Sequence, residues 1–387
     1  MMVEAGNRTR LVDLSLGKTS PYLESLVNRY EGLKTQGRGW VESNSARIIN
    51  VESENPQKPL DIYNGLFVLL NGKMIFIGRG DSPGTQQGQV ISADPIMKGD
   101  RLRWVQNGLY IPGEDPTPAP SLLGGELYLS RTDTTNRADG SGLVESWRPG
   151  VNKVSLRGRR WSTQQVAKGI EGQKDLIFGF SGGKTRIIAR YRTGNIENGI
   201  TSGFRMGSCT DQDPKHLRSY IASISTSSRN DIDDGRPGSE KLSWAGGNQI
   251  VFLQNGNIGL LGHEGMYTSD MQRPYLTTIR EYNTKNQLVV SPFAIATTDD
   301  MPALTQTGAH GNDLQHTLFI KQIIAGIDKR GKEVSWTLVG GLRDKKIVAF
   351  ALSRSPFSAP FDLQSNFLYV VPVNILKKYG LPTTKTA

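Results

Sequence analysis

The chain has 387 residues and a formal net charge of +10; it is 36% hydrophobic and 21% charged, with 44 glycines and 19 prolines. That balance fits a turn-rich all-β protein that uses most of its length as one unit, and it argues against a helical or a disordered chain. One cysteine, Cys209, excludes an internal disulfide and a cysteine-rich metal site, and no run of apolar residues is long enough to cross a membrane as a helix.

In chain order, residues 1–58 read as an N-terminal extension. Glu4, Arg8, Arg10 and Asp13 interrupt its start, so no secretory signal is read there and a cytoplasmic setting is expected. Ser20-Pro21 followed by apolar residues at helical spacing predicts a short helix to Tyr30. Residues 59–375 then carry five hairpins. Their turns are Asn71-Gly72-Lys73, Gly124-Gly125, Ser181-Gly182-Gly183, Asn255-Gly256-Asn257 and Arg343-Asp344-Lys345, the last joining 336–339 to 347–351. From Gly72 the steps to Gly125, Gly183, Gly256 and Lys345 are 53, 58, 73 and 89 residues. One hairpin per unit at this spacing predicts a five-bladed β-propeller, with loop-like insertions at 209–239, apart from 217–223, and at 297–315. Closure of the ring is expected from the N-terminal segment or from residues 367–373, and 376–387 form a tail.

The hairpins also serve as rulers. Inner strands of a propeller converge on its axis, and counting back eight residues from the turn gives Asn64, Asp175 and Asn248, while ten back from Gly125 gives Asp115. Even offsets place all four on one strand face if no bulge intervenes. Two carboxylates from different blades at one point are what glycoside chemistry needs, one to protonate a leaving oxygen and one to activate water or stabilise the cationic centre. Ordinary turn residues at Asp115-Pro116 and Lys174-Asp175 are the alternative reading. Arg79, Lys174, Arg190 and His263 would together make an anion site, and Trp244, Trp336 or Tyr63 could stack on a sugar ring or lie in the core.

The basic residues are scattered, as in Arg157-Gly158-Arg159-Arg160, without a nucleic-acid-binding motif, so nucleic acid is not the expected partner. A positive field instead favours an anionic ligand such as a phosphorylated or acidic sugar. Gly179-Phe180-Ser181-Gly182-Gly183-Lys184-Thr185 is one residue short of a phosphate-binding loop, and His216, His263, His310 and His316 lack zinc-like spacing. No metal or other cofactor is expected.

Several segments resemble the domain-of-unknown-function 1861 family, which is similar in fold to the β-fructosidase, arabinanase and mannoside-phosphorylase propellers. They are Asp61-Ile62-Tyr63-Asn64, Ile77-Gly78-Arg79, Glu114-Asp115-Pro116, Gly172-Gln173-Lys174-Asp175, Trp244-Ala245-Gly246-Gly247-Asn248-Gln249, Asn255-Gly256-Asn257 through His263, and Ser355-Pro356-Phe357. The resemblance implies a funnel-shaped sugar site on the axis, with Asp115 and Asp175 catalytic and Asn64, Arg79, Lys174, Asn248, Gln249, His263 and Trp244 around the substrate. It implies a carbohydrate-active protein that hydrolyses or phosphorolyses a glycosidic bond; a non-catalytic propeller that binds a glycan or protein is the alternative. Gln249 stands where the family pattern has a glutamate, and glutamine exchanges no proton. Asp61 and Asp81 are the nearest blade-one acids.

Overall fold

The computed structural model describes residues 12–13, 18–55, 57, 59–70, 72–82, 88–119, 127–136, 144–157, 160–195, 199–209, 214–226, 228–266, 275–300, 318–342 and 346–384. The expected turns at Gly124-Gly125 and Arg343-Asp344-Lys345, together with Asn71, Arg159, His310 and His316, lie outside these residues.

The chain is a five-bladed β-propeller. Blade one comprises Asp61–Leu70, Lys73–Asp81, Gly88–Lys98 and Arg101–Pro112; blade two, Glu114–Ala119, Leu127–Asn136, Val144–Arg157 and Arg160–Lys168. Blade three runs through Gln173–Ser181, Lys184–Asn195, Gly199–Cys209 and Asp231–Ile232, and blade four through Ser243–Phe252, Ile258–Met266, Tyr275–Tyr282 and Leu288–Ala296. Blade five contains Leu318–Ile327, Glu333–Leu342 and Lys346–Leu352, so the predicted fifth hairpin is its second and third strands. Its innermost turn contains Gly331 at positive φ, which restores a step close to the one before it.

Both candidate closing segments take part. Arg47–Ile49 pairs antiparallel with Lys346–Leu352 as the fourth strand of blade five, and Val51–Glu52 immediately adds a parallel edge to blade one. At the other end, Val370–Pro372 pairs parallel with Leu318–Ile327.

Among the described residues the core falls into six apolar clusters, five of them one per interface between neighbouring blades and the sixth under the N-terminal helix. Leu66 and Val68 of blade one pack with Leu127 and Leu129 of blade two, while Phe67, between them in sequence, turns to Ile324 and Val339 of blade five. This two-residue alternation explains why the strands read as nearly continuous apolar runs. Helix α1 (Pro21–Thr35), capped by the Ser20 hydroxyl, lays Leu23 and Leu26 on Trp244, Met266 and Leu276 of blade four. Helix α2 (Pro214–Thr226), within the stretch expected to be mostly loop, packs Leu217, Ile221 and Ile224 between blades two and three.

Inner strands have an edge toward the axis that, apart from the end of Leu318–Ile327 covered by Val370–Pro372, has no strand beyond it among the described residues, and a buried peptide group without a partner is costly. Side-chain amides fill that role at two interfaces. Gln249 Nε2 donates to Ile323 O at 3.1 Å while its Oε1 accepts from Ile323 N at 2.6 Å. Gln322 does the same for blade one, donating to Phe67 O at 2.6 Å and accepting from Phe67 N at 2.8 Å. Gln249 is therefore an inter-blade clamp that needs both a donor and an acceptor.

Between blades three and four, Glu264 and Arg280 form a buried ion pair with no exposed side-chain surface. Burial pushes the Glu264 carboxyl up from 4.5 to about 7, the Arg280 and Arg236 cations offsetting only part of that cost.

Gln249→Glu and Gln322→Glu should each destabilise the fold by about 1–3 kcal/mol, because the donor is lost and a carboxylate is buried. Chemical denaturation at neutral pH checks this, and acidification should recover part of the loss. For Glu264, a carboxyl raised in the fold binds more protons there than in the unfolded chain, so stability should fall between its ordinary value of 4.5 and about 7 as pH rises. The drop, on the order of 3 kcal/mol, should be absent in the pH dependence of denaturation of Glu264→Gln.

Candidate functional site

All five inner strands carry a register shift at the same level. It falls between Tyr63 and Leu66 in blade one, opposite Ser130/Thr132 in blade two, between Lys174 and Ile177, between Gly247 and Gln249, and between Ile320 and Gln322. The inner-strand residues left out of the ladder are Asn64 with Gly65, Asp115 with Pro116, Asp175 with Leu176, and Asn248 and Lys321 alone. Three of them adopt left-handed backbone, with φ of 49° at Asn64, 50° at Asp115 and 52° at Asp175. Asn and Asp are the non-glycine types that tolerate this region best. The expected mechanism of convergence, an uninterrupted pleat, is thus corrected: a bulge in each blade presents these side chains.

The contacts join the five positions into one cluster. Asn64 Nδ2 donates to Asp115 Oδ1 at 2.9 Å, and Lys174 Nζ lies 3.3 Å from Asp115 Oδ2 and 3.6 Å from Glu114 Oε2. Lys321 Nζ reaches Thr117 Oγ1 at 3.2 Å and the Asp115 carbonyl at 3.5 Å. Arg190 Nη1 sits 3.1 Å from Asp175 Oδ2 and 3.4 Å from His263 Nε2, and His263 Nδ1 meets Asn248 Oδ1 at 3.1 Å. Asn248 Nδ2 in turn donates to Ile320 O, so the imidazole is assigned as the neutral Nδ1–H form accepting from Arg190.

Close approach is secured by glycine. A Cβ on Gly341 would lie 2.2 Å from Asn64 Oδ1, and one on Gly246 would lie 2.1 Å from the His263 ring and 2.9 Å from Asp175 Oδ2.

The electrostatics separate the acids. Burial would raise the Asp115 carboxyl, but Lys174, Arg79, Lys321 and the Asn64 amide outweigh it and hold the group well below the usual carboxylate range. Glu114, next in the chain, is pushed up by burial despite Arg79 and Lys174. Burial, then the Arg190, Lys321 and Lys174 cations, depress His263 well below the usual imidazole range.

Several expected site residues have other partners. Arg79 is held by Asp81 through two hydrogen bonds of 2.9 and 2.8 Å and lies 3.0 Å from Glu114, while the Tyr63 hydroxyl donates to Asp81 at 2.6 Å. Arg79, Lys174 and Arg190 are therefore each matched to a carboxylate already. Trp244 is 1% exposed among Leu23, Leu26, Met266 and Leu276, so the core reading of it holds. Tyr63 is likewise buried, and Trp336 donates through Nε1 to Glu333 at 3.1 Å. The aromatic rings beside His263 are Tyr275 and Phe319, with centroids 5.1 and 4.6 Å away.

Sequence reasoning missed Lys321 because the fifth hairpin was set one strand late; the correct turn at Gly331 lies ten residues beyond it. Glu114 was visible only as the neighbour of Asp115. Among the described residues, no group of three or more His, Cys, Asp or Glu is arranged to hold a metal ion.

No protein-family profile matches the chain, which leaves the resemblance to the domain-of-unknown-function 1861 family without that support, and no curated protein matches it. Solved structures do. A mannose phosphorylase from Leishmania mexicana, solved with a phosphate ion, matches with a TM-score of 0.60 at 16% identity, over 84% of this chain and 93% of that one. A GDP-Man-dependent mannosyltransferase from the same organism matches with a TM-score of 0.63 at 16% identity, over 88% and 97% of the two chains. A hypothetical protein from Leishmania major gives 0.62 at 16% identity, over 89% and 99%. At this identity the likeness establishes the shared fold.

Proposed function

We propose that the axial cluster is the site of a carbohydrate-active protein that cleaves a glycosidic bond, with water or inorganic phosphate as the attacking group. The observation that carries this reading is the set of five bulges, which hold Asn64, Asp115, Asp175, Asn248 and Lys321 together at one level of the axis. Three strained backbones at equivalent positions are costly unless the surrounding structure holds them, and such strain clusters at functional sites. Two proteins of similar fold, a mannose phosphorylase and a GDP-Man-dependent mannosyltransferase, carry out sugar chemistry, in keeping with this reading.

Roles follow from the charge state. Asp115, kept ionised by its cations, suits activation of the attacking group or stabilisation of positive charge at the anomeric carbon. Asp175 faces the same cluster from the next blade, with Arg190 as its counter-ion. Glu114, whose carboxyl burial raises against the pull of Arg79 and Lys174, is the one suited to bring a proton to the departing oxygen. Bond breaking then transfers the electron pair of the C–O bond to that oxygen as the proton arrives, and water or phosphate takes the anomeric carbon. Gln249 plays no part in this chemistry, because both ends of its amide are engaged on Ile323.

A panel of oligosaccharides and aryl glycosides, with and without phosphate, should release sugar or sugar phosphate. Asp115→Asn and Asp175→Asn should each lower turnover by about 100-fold or more with folding intact. Unchanged turnover in both variants would sink the assignment, and silence across the panel with retained glycan binding would support the non-catalytic alternative.

The required proton on Glu114 gives a second prediction. A raised carboxyl keeps its proton to higher pH, so activity should fall on the alkaline side of the ordinary glutamate range. Glu114→Gln should lower turnover and abolish that limb of the pH–rate profile.

A further inference from the structure

Lys321 differs from every other cation of the axial cluster in its partners. Arg79 is paired with Asp81 and Glu114, Lys174 with Glu114 and Asp115, and Arg190 with Asp175. Lys321, 2% exposed, has no carboxylate within ion-pair distance among the described residues. Its ammonium is held by a carbonyl and a hydroxyl, the Asp115 oxygen at 3.5 Å and Thr117 Oγ1 at 3.2 Å, and it lies 5.3 Å from the centre of the Phe319 ring. An ammonium has three donors, and these contacts use two of them. A buried charge without a counter-ion is unfavourable unless something supplies one.

We propose that Lys321 is the seat of a single anionic group on the ligand, a phosphoryl or carboxylate oxygen brought to the axis. The inference rests on the reading of the axial end as the ligand site and goes beyond it by naming the cation of the cluster left for an anion. Arg79, Lys174 and Arg190 are excluded from this role by the carboxylates they already neutralise, and His263 by its engagement with Asn248 and Arg190.

The charges facing Lys321 leave it short of attraction. Burial pulls its ammonium below the usual lysine range, Lys174 and Arg190 repel it, and Asp115 and Asp175 attract it without making up the deficit. Among the described residues, Glu114, Asp115, Asp175, Lys174, Arg190 and His263 are titratable groups of the surrounding blades, and none places a carboxylate on Nζ. An anion at Nζ adds the missing attraction.

Isothermal titration of the full chain tests this with two probes, inorganic phosphate and glucuronate. The wild-type protein should bind at least one of them. Lys321→Met should lose about tenfold or more in affinity. Lys321→Arg, which keeps the charge, should retain binding, and it guards against loss of fold in the methionine variant. Phosphate binding assigns a phosphoryl group and glucuronate binding a uronate carboxylate. Wild-type affinity in Lys321→Met overturns the proposal, as does binding of neither anion by the wild type. A protein that cleaves a neutral glycan in an Asp115-dependent way yet fails this test keeps its proposed function and loses only the Lys321 inference.

Discussion

The inner edge of each blade is the constraint on which the rest of the molecule depends. Five strands surround the axis without pairing to one another, so each has an inner edge of peptide groups to satisfy, and among the described residues only the end of Leu318–Ile327 has a strand, Val370–Pro372, laid along it. The protein meets this demand in two ways. Lower on the strands, amide side chains take peptide groups in pairs, Gln249 on Ile323 and Gln322 on Phe67, and Asn366 from the C-terminal segment does the same for Phe252, at 3.0 and 2.7 Å. At the level of the candidate site the strand leaves its ladder in a bulge.

These two solutions are adjacent in sequence. Asn248 and Lys321 occupy bulges, and the next residues, Gln249 and Gln322, are the clamps. The clamp fixes the strand to its neighbouring blade immediately beside the residue that the bulge offers to the axis. Rigid support of this kind is what a preorganised site requires, since a small displacement of a reacting group is expensive. It also explains why Gln249 reads as a chemical residue in the sequence and is a structural one: it stands beside the site and faces another blade.

Much of the architecture was legible in the chain because hairpin turns punctuate it and strands buried on both faces are apolar throughout. Asn64, Asp115, Asp175 and Asn248 were found by counting back from those turns, although the pleat that justified the count is broken at each of them. The count survived because the breaks recur at one level. What stayed hidden depends on pairing across the chain. Nothing in the string tells that Arg79 is taken by Asp81, that Trp244 is covered by α1, or that the hairpin around Arg343-Asp344-Lys345 is one strand away from the axis. Lys321 carries no Asn or Asp to mark its bulge, and Glu114 gains meaning only when Lys174 is seen to stand before both acids.

Residues 47–52 tie the first blade to the last. Arg47–Ile49 belongs to the last blade and Val51–Glu52 to the first, so a segment made early has its partner strand in Lys346–Leu352, about 300 residues later. Without that strand Arg47–Ile49 has no partner and the seam between the first and last blades is unclosed. The cluster at the axis likewise draws a residue from every blade, Lys321 included. Closure of the ring therefore depends on contacts between distant parts of the chain, the class of contact whose loop-closure cost is highest.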